Sequence, residues 1–173
     1  KPIEMEKIFG KKAVKKIIKG RVLKKEIMKM DFNEFKELFE KLINFKTNPF
    51  HPLVWITGNP IIGKNVYIGG MSEIAAKNSN ITIGDNCDVA SFVSINCGDS
   101  HKRCIELSND VKYNSIILEK NVFVGSHSVI KPGAHIGHHS VIASGTVVDG
   151  ITIPPYSLVS GNPMNVKCGY YKK

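Results

Sequence analysis

A chain of 173 residues suits one domain with a substantial core. Its formal net charge of +9 is unevenly spread: residues 1–48 hold 14 Lys/Arg against 7 Asp/Glu, and the remainder stands near balance. That distribution argues against a nucleic-acid reader, which needs a basic, aromatic-rich face on its folded body, and the lack of any long apolar run excludes a membrane-spanning helix.

The first stretch, residues 4–30, reads as a basic helix with Ile8, Val14, Ile17, Ile18, Val22, Ile27 and Met30 among lysines and with Gly10 and Gly20 as interruptions. Its modest apolar face favours packing on the domain or on a neighbouring subunit over attachment to an anionic membrane surface. A second helix is expected from Asp31, which with Glu34 spells a capping box. Its stripe of Phe32, Phe35, Leu38, Phe39, Leu42 and Phe45 fits a cap over an exposed core end. Together these form a helical N-terminal segment, 1–48. Thr47-Asn48-Pro49-Phe50-His51-Pro52 then breaks the pattern and marks a boundary.

From Ile56 the chain counts in sixes. Aliphatic residues recur at Ile62, Ile68 and Ile74, and after a small corner insertion at Lys77-Asn78-Ser79-Asn80 the count resumes at Ile83, Val89 and Ile95. It resumes again at Leu118, Val124, Ile130, Ile136, Ile142 and Val148, then one residue early at Ile153 and Val159. A six-residue period signifies a parallel β-helix, in which each unit is a short strand plus a corner. Stacked coils bury a continuous aliphatic column that no single coil buries alone. Gly, Asn, Ser and Ala crowd the corners, where tight or left-handed backbone is required. The expected body is therefore an all-β solenoid over residues 49–167, with a short tail at 168–173.

Between Ile95 and Leu118 the count fails. Residues 96–117, with Asp99, His101 and Glu106 among them, form a polar excursion from a rigid scaffold, where binding and catalysis tend to sit. The four cysteines, Cys87, Cys97, Cys104 and Cys168, show no zinc spacing and read as reduced thiols of a cytoplasmic protein.

The repeats, the interrupting loop with its His, the unit Val124-Gly125-Ser126-His127 and the ending Ile153-Pro154-Pro155-Tyr156 … Gly161-Asn162-Pro163 resemble the hexapeptide-repeat acyltransferases. Within that superfamily the arrangement resembles the maltose, galactoside and xenobiotic acetyltransferases, and it is also similar to N-acetyltransferases of nucleotide-linked amino sugars. The resemblance covers residues 55–167. It implies a left-handed parallel β-helix, although ordinary parallel crossovers are right-handed. It also implies a homotrimer with active sites between subunits, acetyl-CoA as donor, and a hydroxyl or amino group of a saccharide as acceptor. His101 stands where the family places its catalytic base, and a neutral imidazole suits proton removal near pH 7. Asp99, Glu106 and Glu73 are candidates to orient its other nitrogen or to hold the acceptor. Gly125, Ser126 and Ser144 match positions that hold the pantetheine arm of the coenzyme. Lys167 is the one cation where the family often carries several for the coenzyme phosphates.

His127, His135, His138 and His139 raise a metal reading, because related solenoids include zinc carbonic anhydrases. Adjacent residues on a strand or corner are expected to diverge, so His138 and His139 are not expected to chelate as a pair, and no metal is expected. A non-catalytic scaffold is the other alternative. An ice-binding surface is excluded, because Thr82, Thr146 and Thr152 build no flat threonine face.

Overall fold

The computed structural model describes residues 48–51 and 53–172, together with Asp31, Asn33, Glu34, Glu37 and Leu38. The chain divides into two compact units, Lys1–Thr47 and Asn48–Lys173. In the first, the reciprocal capping box forms: the Asp31 carboxylate accepts from the Glu34 N–H at 2.9 Å, and the Glu34 carboxylate accepts from the Asp31 N–H at 3.1 Å. The basic helix over 4–30, its contact with a membrane surface and most of the Phe-rich stripe lie outside the described residues.

The second unit is a parallel β-solenoid of five coils. The first coil holds β1 (Trp55–Gly58), β2 (Ile61–Ile62) and β3 (Tyr67–Ile68), and the second holds β4 (Glu73–Ala76), β5 (Ile81–Ile83) and β6 (Asp88–Val89). The third begins with β7 (Ser94–Asn96) and is interrupted by β8 (Gly98–Asp99), the helical turn α1 (His101–Cys104) and β9 (Lys112–Tyr113). It finishes with β10 (Ile116–Leu118) and β11 (Phe123–Val124). The fourth holds β12 (Val129–Ile130), β13 (His135–Ile136) and β14 (Val141–Ile142). The fifth holds β15 (Val147–Val148), β16 (Thr152–Ile153) and β17 (Leu158–Ser160), and β18 (Asn165–Lys167) folds back antiparallel on β17.

Every coil contributes one strand to each of three sheets, ordered β1-β4-β7-β12-β15, β2-β5-β10-β13-β16 and β3-β6-β11-β14-β17-β18. The registers confirm the sixfold count. Ile56, Ile74, Ile95, Ile130 and Val148 stack in the first sheet; Ile62, Ile83, Leu118, Ile136 and Ile153 in the second; Ile68, Val89, Val124, Ile142 and Val159 in the third. All but Ile56 and Ile62, in the terminal coil, are fully buried. Strands of two to four residues suffice because each coil borrows its hydrogen-bond partners and its apolar neighbours from the coils beside it.

Two corners explain the irregular spacing. The insertion before Ile83 is absorbed around Asn78, which takes the left-handed conformation at φ 65°. The missing residue before Ile153 is absorbed at Gly150, where a Cβ atom would lie 2.2 Å from the Pro132 carbonyl oxygen. Only glycine fits there.

Buried hydroxyls tie the coils together. Ser72 Oγ donates to the Ala90 carbonyl and accepts from the Val93 N–H. Two coils further on, Ser128 joins Ala143 to Thr146, and on another corner of the same coil Ser140 joins Pro154 to Ser157. Each of these serines is fully buried, and among the described residues no buried side-chain nitrogen or oxygen lacks a partner.

Ile136 sits between two neighbouring coils, so truncation removes contacts on both sides. Ile136→Ala is expected to lower stability by about 2–5 kcal/mol, measured as a shift of the denaturant midpoint at unchanged slope.

Candidate active site

The interruption of the third coil is a built structure. β8 and β9 pair antiparallel, with Gly98 opposite Tyr113 and Asp99 opposite Lys112, and α1 sits between them. The chain leaves the solenoid after β7 and re-enters at β10 without disturbing the stacking, since Ile95 and Leu118 hold their registers. The excursion is thus held at both ends by the rigid coils.

At its start Asp99 and His101 meet. Asp99 Oδ1 accepts from the His101 backbone N–H at 3.1 Å and lies 2.6 Å from the ring Nδ1. A carboxylate at that distance fixes the proton on Nδ1 and leaves Nε2 as a free acceptor. The His101 backbone N–H, then its ring, and then the more distant Lys131 ammonium hold the Asp99 carboxyl below its ordinary value. Asp99, His101, Lys102, Ser108, Asp110 and Lys112 surround a cavity of about 490 Å³, a size suited to a small substrate. The His101 side chain is 62% exposed, so its free nitrogen is reachable.

The other carboxylates are placed differently. Glu106 is exposed just after α1, in left-handed conformation, and Glu73 lies on β4, where the Ser94 hydroxyl reaches it at 3.5 Å. Among the described residues no hydrogen bond or ion pair joins either one to His101. Ser108, Asp110 and Lys112 line the cavity without having been signalled by the sequence, because the return strand β9 carries no trace of the repeat. Lys131 was missed for another reason. It follows the inward-facing Ile130 at an ordinary corner, where it pairs with Asp149 at 2.7 Å.

Gly125, Ser126 and Ser144 do come together. A Cβ on Gly125 would lie 2.5 Å from the Ser144 nitrogen, and the Ser126 carbonyl accepts from the Gly145 N–H at 2.8 Å. Backbone thus approaches backbone across two coils, a surface made of small residues and peptide groups. Lys167 stands apart from this corner. β18 sets it opposite Leu158, two residues short of Ser160, and its ammonium lies 5.7 Å from the centre of the Tyr170 ring.

The expectation that His138 and His139 diverge is corrected by the structure. His139 takes φ 57°, which turns its ring back until the two Nδ1 atoms are 2.9 Å apart. Asn121 donates to His139 Nε2, so His139 carries its proton on Nδ1 and donates to His138. His135 instead pairs with Glu119 at 2.9 Å, and His127 stacks on Phe92. The His138 backbone N–H and the His135 ring hold Glu119 below the usual carboxylate range. Among the described residues no group of three or more His, Cys, Asp or Glu is arranged to hold a metal ion. All four cysteines are free, Cys87 and Cys97 buried and Cys104 and Cys168 exposed. No helix among the described residues is long and apolar enough to cross a membrane.

Comparison with known proteins agrees with the repeat architecture. Residues 115–150 match the bacterial transferase hexapeptide family (six repeats), and residues 61–97 match the hexapeptide repeat of succinyl-transferase. The galactoside O-acetyltransferase of Escherichia coli (strain K12) is 35% identical over 118 residues, 66% of this chain and 57% of that protein. The chain therefore spans little more than half the length of that curated relative. A galactoside acetyltransferase solved in complex with coenzyme A shares 28% identity and a TM-score of 0.62, over 87% of this chain and 78% of that one. The polySia-specific acetyltransferase NeuO shares 27% identity and a TM-score of 0.56, over 67% of this chain and 61% of that one. Two matched repeat segments, five coils in unbroken register and these relatives together make the chain similar to the hexapeptide-repeat transferases.

Proposed function

We propose that this protein transfers an acetyl group from acetyl-CoA to a hydroxyl or amino group of a saccharide, with His101 as general base. The observation that carries the reading is the Asp99–His101 pair, a base oriented by a carboxylate at the mouth of a substrate-sized cavity. The galactoside and polySia-specific enzymes among its relatives support the saccharide class, and the coenzyme A bound by one of them supports the donor.

His101 Nε2 removes the proton of the acceptor as its oxygen or nitrogen attacks the thioester carbonyl carbon. The carbon–oxygen or carbon–nitrogen bond forms, and the carbonyl becomes a tetrahedral oxyanion held by backbone N–H groups. The carbon–sulfur bond then breaks, and the proton on His101 passes to the departing coenzyme thiolate. Asp99 keeps the proton of the resting ring on Nδ1 and stabilises the imidazolium that forms in between. The more distant Lys131 adds a smaller part to the field that keeps this carboxylate ionised. The small-residue corner at Gly125, Ser126 and Ser144 holds the pantetheine arm, with Lys167 toward the coenzyme phosphates. Glu73 and Glu106 are acceptor-side candidates.

The assembly is a homotrimer with its active sites between subunits. Exposed apolar side chains on two outer faces support it: Val129 on the first sheet, and Ile61 and Ile117 on the second. The protein acts in the cytoplasm, where acetyl-CoA and reduced thiols coexist.

Free thiol released from acetyl-CoA in the presence of a saccharide panel measures turnover. His101→Ala is expected to lower kcat by about 10²–10⁴-fold for hydroxyl acceptors, with a smaller loss for amine acceptors, which need less help with the proton. Asp99→Asn is expected to lower kcat while leaving KM for acetyl-CoA unchanged. Unaltered turnover in His101→Ala contradicts the reading.

NMR titration of the Asp99 carboxyl checks the electrostatics. In the native protein its midpoint is expected below that of a free aspartate, so its stabilisation holds at neutral pH and is lost as pH falls through that lowered midpoint. In His101→Ala the ring is gone but the backbone donor remains. The midpoint is expected to rise only part of the way back.

A further inference from the structure

The corner between the second and third sheets repeats through all five coils at Asn65, Asn86, Asn121, His139 and Tyr156. All five hold left-handed φ angles, between 53° and 60°. Asparagine tolerates this conformation, because its short polar side chain bonds locally. Asn65 donates to Asn86 at 3.2 Å, and Asn121 donates to His139 at 3.1 Å. Histidine shares that tolerance, whereas a tyrosine at such an angle is an outlier that costs about 1–3 kcal/mol. Three coils carry asparagine and the last two carry rings, of which Tyr156 stands where asparagine would serve the backbone better.

Those rings wall a cavity of about 670 Å³ that shares no lining residue with the one at His101. Asn121, Phe123, His139 and Tyr156 form its solenoid side, and Tyr171 and Lys172 of the C-terminal tail form the other. The tail is held by the Tyr171 N–H, which donates to the Tyr156 carbonyl at 3.0 Å. The His139 ring lies nearly parallel to Tyr156, with centroids 5.1 Å apart, and is fixed from both nitrogens by His138 and Asn121. The lining is mostly apolar and aromatic. Among the described residues Lys172 is its one lysine or arginine, and no acidic side chain lines it.

We propose that this cavity is a second ligand site, which binds a saccharide ring carrying a carboxylate or phosphate. Such a ring presents a C–H face to the aromatic walls, hydroxyls at its edge to the Asn121 amide and the tyrosine hydroxyls, and its negative charge to Lys172. The size of the cavity and the positive charge of Lys172 fit one charged sugar unit. The choice of ligand class rests on the saccharide reading of the function, but the cavity is separate from the reacting site. It holds a remote unit of a polymeric acceptor and so raises the effective concentration of the unit at His101.

Calorimetric titration with tetragalacturonate and with uncharged maltotetraose tests the site in native protein, Tyr156→Asn, Lys172→Gln and His101→Ala. Tyr156→Asn installs the residue that the same corner carries in three other coils, so the solenoid is expected to keep its fold, checked by circular dichroism. Tetragalacturonate is expected to bind native protein and His101→Ala alike, and about tenfold more weakly to Tyr156→Asn. Lys172→Gln is expected to lower its affinity to that of maltotetraose. Failure of native protein to bind tetragalacturonate, or full affinity in folded Tyr156→Asn, overturns the proposal. Binding that follows this pattern in a protein that acetylates no saccharide keeps the site and removes the catalytic reading. Acetylation without such binding does the reverse.

Discussion

Each coil of this solenoid buries its aliphatic residues only against the coils on either side, and everything else depends on that stacking. No sheet closes within one coil, and a strand of two residues has no stability alone. The columns through Ile136, Ile142 and Ile130 therefore do the work of a conventional core. Backbone hydrogen bonds from coil to coil and buried serines such as Ser128 and Ser140 fix the register to the residue. A register held this firmly carries a site without loosening, because an insertion at one corner is isolated from the next.

The third coil shows the consequence. It accommodates the excursion from Gly98 to Ser115 while Ile95 still stacks on Ile130 and Ile83 on Leu118. Two antiparallel residue pairs and one helical turn are enough to hold Asp99 against His101. The candidate site sits where the scaffold is interrupted, and it is held firmly because the scaffold on both sides is continuous. On the proposed function, that separation gives the donor a smooth small-residue surface on the repeat and gives the acceptor the polar groups of the excursion.

The solenoid was legible in the sequence because its inward residue recurs at a fixed interval, and both anomalies in the count correspond to real corners, at Asn78 and Gly150. His101 and its possible carboxylate partners were legible for the opposite reason, since they stand where the repeat stops. The choice of Asp99 over Glu73 and Glu106 was not, because it depends on how β8 and α1 turn, and no periodicity encodes that. The convergence of His138 and His139 was misread for a related reason. Alternation of side chains holds for extended strands, and His139 lies at a left-handed corner. Lys131 and the cavity beside Tyr156 were invisible because each brings together residues from separate coils, or from a coil and the tail.

The account divides the labour between a corner that holds the donor and a histidine that acts on the acceptor. The most direct test of that division is calorimetric titration of acetyl-CoA into native protein and into His101→Ala. Equal affinity in the two is the predicted result, because the proposed role of His101 is on the acceptor and not on the donor. Absence of binding to the native protein would contradict the claim that this solenoid draws its acetyl group from acetyl-CoA.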